Sequence, residues 1–131
     1  MRKLIATLFT TAALALTACQ STMTSAEMKA NLEKKEYTVE IMGAEETKAR
    51  IQGVNFNVDI KDSLLSTKGD KDVILAFFVT NSKDADAFVK ENVSALYKFA
   101  QRYTEDPKTG YHNNVCYTGS PDAVKAAGLP A

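Results

Sequence analysis

The stretch Asp72–Val79, DVILAFFV, constrains the fold more than any other part of the chain, because seven consecutive residues from Val73 are apolar. A strand sends alternate side chains to opposite faces, so an unbroken apolar run needs cover on both sides and belongs inside a sheet. Lys68-Gly69-Asp70-Lys71 before it predicts a reversal, and Asn81 and Ser82 after it open a helix. In that helix Ala85, Phe88, Val89, Val93, Leu96, Phe99 or Ala100, and Tyr103 recur at spacings of three and four, which makes one stripe to lay on the sheet. Asp84 and Asp86 near its start and Lys98 and Arg102 near its end suit the helix dipole.

The rest of the chain supplies shorter pieces. Ser25 is placed to cap a first helix from Ala26 to about Lys35. Tyr37, Val39 and Ile41 alternate with Thr38, Glu40 and Met42, predicting a strand that Gly43 ends. Ala44 to Gln52 fits a helix stopped by Gly53 or a strand hairpinned to the first, and the helix is the preferred reading. Phe56, Val58 and Ile60 alternate with Asn57, Asp59 and Lys61, predicting a strand with one wet face whose edge could take another chain. Glu105-Asp106-Pro107 through Gly110 reads as a break, Asn114 to Thr118 as a strand, and Ser120-Pro121-Asp122 as the capped start of a short helix that Gly128 and Pro130 stop.

The fold class is therefore α+β: an antiparallel-type sheet of about four strands, one long helix packed on it, and short helices at both ends. The order β, short α, β, β, long α, β is the split βαβ arrangement of ferredoxin-like sandwiches, with the first and third strands central and the second and fourth at the edges. The other face of the central strand then requires a cover. The first helix, the last helix and a second copy of the chain are the candidates.

The N-terminus carries a different signal. Met1-Arg2-Lys3 is a short positive region, Leu4 to Ala15 is uncharged and apolar, and Leu16-Thr17-Ala18-Cys19 puts small residues directly before a cysteine. The apolar run is shorter than the about 20 residues a spanning helix needs. This arrangement resembles the signal peptide and lipobox of bacterial lipoproteins. The resemblance implies cleavage between Ala18 and Cys19, a diacylglyceryl group on the Cys19 thiol, and acylation of the new amino terminus. It divides the chain into a signal peptide over 1–18, a lipidated tether over 19–25 and one domain over 26–131. Gln20, where an aspartate would favour the inner membrane, implies sorting to the outer membrane in a Gram-negative host; in a Gram-positive host the domain would stand on the outer face of the plasma membrane. Beyond residue 19 the resemblance is to small α+β lipoproteins, carried by Val115-Cys116-Tyr117-Thr118-Gly119-Ser120-Pro121-Asp122-Ala123, and it transfers no site residue other than Cys19.

Charge narrows the partners. The 16 basic and 16 acidic residues become 14 and 16 once Arg2 and Lys3 leave with the signal, and the signs are interspersed. That pattern offers no stripe for nucleic acid and no polybasic patch for anionic lipid. With Cys19 alkylated, Cys116 has no partner in the chain, so a core of 113 residues must hold the fold without a disulfide.

The chemistry-bearing residues point away from catalysis. His112 is the single histidine, which leaves a His-based metal site short of its second imidazole. In an extended strand His112 and Cys116 would lie about 13 Å apart, too far for a base and its thiol. Cys116 reads as a buried strand residue. Asp59, Asp62, Asp70 and Asp72 lack the central Gly and closing Glu of a calcium loop, Glu45-Glu46 reads as a helix start, and Thr118-Gly119-Ser120 lacks the length and lysine of a phosphate loop. The expectation is a lipid-anchored envelope protein that is not an enzyme and uses no cofactor or metal. Its partners would be the membrane through Cys19, an envelope protein, or a second copy of itself. The alternative is a small-molecule-binding lipoprotein, which requires a sizeable apolar pocket.

Overall fold

The computed structural model describes residues 22–130; the signal-like segment 1–18, Cys19 and Gln20 lie outside the described residues. In chain order the elements are helix α1 (Ser25–Glu33), strand β1 (Thr38–Gly43), helix α2 (Ala44–Arg50), strands β2 (Ile60–Lys68) and β3 (Asp72–Val79), a 3-10 turn at Ser82–Asp84, helix α3 (Ala85–Gln101), strands β4 (Lys108–His112) and β5 (Val115–Gly119), and helix α4 (Pro121–Ala126). The fold is α+β, and its one described sheet is antiparallel throughout in the order β1-β2-β3-β5-β4.

β3 is the middle strand, as its composition requires. Ile74, Ala76 and Phe78 face one side with Leu64, Val115 and Tyr117; there α1 lays down Met28 and Leu32, and α4 lays down Ala123 and Val124. Leu75, Phe77 and Val79 face the other side with Cys116, under Phe88, Val89 and Leu96 of α3. The two terminal helices thus supply the second cover. Asp72 begins β3 opposite Lys68, and the turn between them passes through Gly69 at φ +65°.

Several expectations are corrected. The sheet has five strands, because Lys108–His112 pairs with β5. The element order along the chain follows the ferredoxin-like sequence with that strand added, but the spatial order does not: β1 pairs directly with β2, which makes a meander. The connection over 44–59 is held at one end of the sheet: Thr47 of α2 shares a 2.6 Å hydroxyl bond with Ser63 of β2, and the Asn55 N–H is held by Asn92, so the chain returns to the end where Gly43 faces Asp62.

Phe56–Asp59 is not a strand, so no sheet edge lies there; β2 begins at Ile60 and is an inner strand. The alternation of Phe56 and Val58 has another cause. Both pack on the α3 side of the sheet, Phe56 with ring centroids 5.7 Å from Phe77 and 6.0 Å from Phe88. This strap is tied down by Asn92, which occupies a core position of α3. Its Oδ1 accepts the Asn55 N–H at 2.7 Å, while its Nδ2 donates to the Asn55 and Phe88 carbonyls, each at 3.0 Å. Replacing Asn92 with Ala is expected to cost about 1–3 kcal/mol by stranding these groups. A lower urea midpoint with faster exchange of the Asn55 amide would show it; unchanged exchange at Asn55 would refute the clasp.

Smaller shifts are local. Thr24, not Ser25, caps α1, in a capping box with Glu27. On β1, Ile41 is 38% exposed while Met42 is buried beside α2. Val93, placed in the apolar stripe of the long helix, is 46% exposed, and Asn92 faces the core instead. Among the described residues no helix is long and apolar enough to cross a membrane.

Candidate functional site

Two surfaces are built with more than packing in view, and both involve the β4–β5 hairpin. The hairpin turns at Asn113-Asn114, with Asn113 at φ +53°. The Asn114 side chain, buried, closes on the backbone of one distant residue: its Oδ1 accepts the Met23 N–H at 3.1 Å and its Nδ2 donates to the Met23 carbonyl at 2.9 Å. Its own carbonyl accepts the Val79 N–H at 2.9 Å. An amide side chain offers one donor edge and one acceptor edge, so it pairs with a peptide unit as a neighbouring strand would. The chain is thereby fixed to the Val79 end of the sheet two residues before α1 begins. Beside this clasp lies an open cleft of about 460 Å³ lined by Met23, Glu27, Asn31, His112 and Gly128 among others. Gly128 has φ +90°, and its amide and that of Leu129 return to Lys125 and Val124 to finish α4.

The second surface is β4 itself, the last strand of the described sheet, laddered to β5 on one side. Tyr111 on β4 is 46% exposed, and Val93 and Tyr97, one turn apart on α3, are 46% and 40% exposed. α3 packs directly on β4. Lys90 of the same helix feels Tyr111, although its amine is held protonated mainly by the Asp86 carboxylate 3.0 Å away. Pro107 and Lys108 lead into the strand and Gly110 sits at its centre, features that discourage indiscriminate pairing at an edge. Tyr117 covers Gly110 from β5: a Cβ there would stand 3.4 Å from the Tyr117 hydroxyl.

At the opposite end of the sheet a second cleft of about 460 Å³ is lined by Lys71, Asp72, Glu105, Asp106, Ser120 and Asp122 among others. Ser120 precedes Pro121 as expected of a cap, yet its hydroxyl is committed elsewhere. It donates to Asp72 Oδ1 at 3.0 Å and accepts the Val73 N–H at 3.2 Å, tying α4 to the start of β3.

The remaining sequence candidates are placed apart. His112 and Cys116 lie on the two strands of a hairpin rather than along one strand, with their side chains on opposite faces of the sheet. Cys116 stands opposite Tyr111 under α3, and His112 stands opposite Val115, whose side chain belongs to the other face. Cys116 is fully buried, and burial pushes its thiol up to about 12. Asp62 accepts from Ser25 Oγ at 2.7 Å near one end of β2, whereas Asp70 and Asp72 flank the turn at the other. Glu45 and Glu46 open α2, and Glu46 pairs with Arg50, which also binds Glu40 on β1 and lowers the Glu40 carboxyl. Among the described residues no group of three His, Cys, Asp or Glu is positioned to hold a metal ion.

The features of these surfaces that sequence reasoning missed are Asn114, Asn92 and the β4 strand. For Asn92 a signal was there to find, an asparagine at a core position of an amphipathic helix, whereas no local pattern marks β4 or the Asn114 clasp. Compared with models of known protein families, with curated proteins and with solved structures, the chain has no significant match.

Proposed function

We propose that the chain is a lipid-anchored cell-envelope protein whose domain works as a non-catalytic binding module for another envelope protein. The observation that carries the reading is where the fold begins. Met23 is already clasped by Asn114, so a lipidated Cys19 would leave three residues, Gln20 to Thr22, and at most about 14 Å of chain between bilayer and domain. The β4 edge is the docking surface, since strand addition needs free backbone groups and side-chain pockets, and Tyr111 with Val93 and Tyr97 adds apolar and aromatic area beside them. The two clefts are open and place carboxylates and other polar side chains among their lining, Glu27, Asn31 and His112 in one and Asp72, Glu105, Asp106 and Asp122 in the other, which fits an enclosed apolar small-molecule site poorly. With Gln20 after Cys19, the outer membrane is the location in a Gram-negative host, and the outer face of the plasma membrane in a Gram-positive one.

Changing Cys19 to Ser is expected to abolish acylation and move the protein from the membrane to the soluble fraction, because each buried methylene is worth about 0.8 kcal/mol and no polybasic patch substitutes for it. Metabolic labelling with an alkyne fatty acid checks the first effect and fractionation the second. Crosslinking in the native cell then tests the module: a specific protein recovered with the full chain, dependent on Cys19 and lost on Tyr111→Asp, supports it. Recovery of the chain alone, or only as its own dimer, overturns binding to another protein.

A further inference from the structure

We infer that the strap over 53–58 is a built-in occupant of a peptide groove, and that an extended segment of another protein, apolar at alternate positions with an aromatic at its centre, replaces it there. The inference stands apart from lipidation and from the β4 edge. It adds a second recognition site, beside Phe88 and Asn92 of α3. The strap sequence, Val54-Asn55-Phe56-Asn57-Val58, alternates as a strand does, yet it joins no ladder. Val54, Phe56 and Val58 pack on the cluster that α3 covers, whereas Asn55 and Asn57 are exposed. Phe56 completes a triangle of rings with Phe77 and Phe88, whose centroids lie 5.4 Å apart. The domain thus holds part of its own chain in the extended form, with alternate side chains in apolar seats, in which sheets and grooves hold bound peptides.

Asn92 is what fits the groove to a peptide. It is 4% exposed, and a buried amide is tolerated only when its polar atoms find partners. Both ends of its side chain turn to one peptide residue, accepting the Asn55 N–H at 2.7 Å and donating to the Asn55 carbonyl at 3.0 Å. These contacts read backbone alone, so selectivity falls to the apolar side chains on either side. The hold is also narrow. Among the described residues, no backbone group of Val54, Phe56, Asn57 or Val58 bonds to another backbone group. Gly53, at φ +82° with nothing within 4 Å of an added Cβ, provides a hinge where the strap begins. An open cleft of about 380 Å³ runs along Phe56 and Val58, so the groove is approached from solvent. A segment with few ties and a solvated backbone belongs to the low end of local stability and opens without the sheet. A competitor then binds with an affinity reduced by the fraction of molecules that are open.

The test uses the full chain and a fluorescein-labelled peptide with the sequence of residues 52–60, followed by fluorescence anisotropy. Phe56→Ala in the protein removes the central ring of the strap and leaves the groove, so the peptide is expected to bind it about tenfold or more tightly than it binds the unaltered chain. Methylating the peptide nitrogen at the position of Asn55 removes the N–H that Asn92 accepts, and is expected to abolish that gain. Equal affinity for the two proteins, or binding that survives the methylation, overturns the proposal. Tyr111→Asp should leave peptide binding unchanged; its loss would put the peptide on β4 and overturn the groove. Hydrogen exchange on the unaltered chain gives a second test should Phe56→Ala fold poorly. The Asn55 amide is expected to exchange about 100-fold or more faster than the Phe77 amide of β3. Equal protection at the two overturns the proposal, because a strap that leaves only when the domain unfolds admits no partner.

Discussion

Gly119→Ala is expected to lower stability by about 2–4 kcal/mol, and Gly119→Val to leave little folded protein. Gly119 ends β5 opposite Ile74 on one side and Lys108 on the other. A Cβ built there would lie 2.5 Å from the Val73 carbonyl oxygen, 3.0 Å from Ile74 Cα and 3.1 Å from Ile74 Cβ. Two of those three atoms are backbone, so no rotamer change relieves the clash. β5 would have to move off β3, taking with it the Ser120 N–H to Val73 carbonyl bond of 2.9 Å and the Ser120 hydroxyl bonds that moor α4. Since α4 covers one face of β3, the damage reaches Ala123 and Val124 in the core. Gly43 provides the control: nothing lies within 4 Å of its added Cβ, and Gly43→Ala should change stability by about 0.5 kcal/mol or less. Urea unfolding of both variants tests the contrast, and similar midpoints would refute the close approach. The damage also reaches β4, because β5 is its one strand neighbour among the described residues.

Residues whose own pattern reflects burial were legible from sequence, and residues whose structure depends on a neighbour were not. Val73 to Val79 are apolar because both faces of β3 are covered, so one stretch announced a central strand and a second cover. α3 followed from its spacing, except where Asn92 replaced an apolar residue to hold the strap. β4 had no such signature. Lys108 and His112 are exposed, Gly110 lacks a side chain, and the strand exists through what β5 brings to it: Tyr117 over Gly110, and Thr118 sharing a 2.8 Å hydroxyl bond with Thr109. Phe56 and Val58 misled for the converse reason, since side chains can alternate over a core without a ladder. The Met23 clasp joins residues 91 positions apart, and no local pattern encodes that pairing. Chemistry was easier to read than surface. A cysteine among apolar residues was legible as buried, whereas the place of His112 on β4 and the exposure of Tyr111, Val93 and Tyr97 required the fold.

Alkaline pH is expected to unfold this domain well before any backbone chemistry intervenes. Burial pushes the Cys116 thiol from about 9.0 up to about 12. It does the same to the Tyr37 phenol, from 10.0 to about 12, with the charges of Asp72 and Asp122 adding to the effect, and it also raises Tyr117. Below pH about 8 all three groups are protonated in both the folded and the unfolded chain, so stability there does not depend on them. Above it the unfolded chain releases these protons first while the fold retains them, and stability falls as pH rises until the folded groups also titrate near 12. At about 1.4 kcal/mol per pH unit, Cys116 alone removes roughly 3 kcal/mol by pH 11, a large share of the about 5–15 kcal/mol that holds a domain. Urea midpoints between pH 7 and 11 should be flat and then drop steeply, and Cys116→Ala, although weaker at pH 7, should show a shallower drop. A flat profile to pH 11, or rapid reaction of Cys116 with a thiol reagent at pH 8, would refute the buried neutral thiol. The same property bears on function. A thiol that stays protonated and enclosed against the Ala85 carbonyl, 3.6 Å away, presents no thiolate to a substrate or an oxidant at neutral pH, so Cys116 serves the core beneath α3.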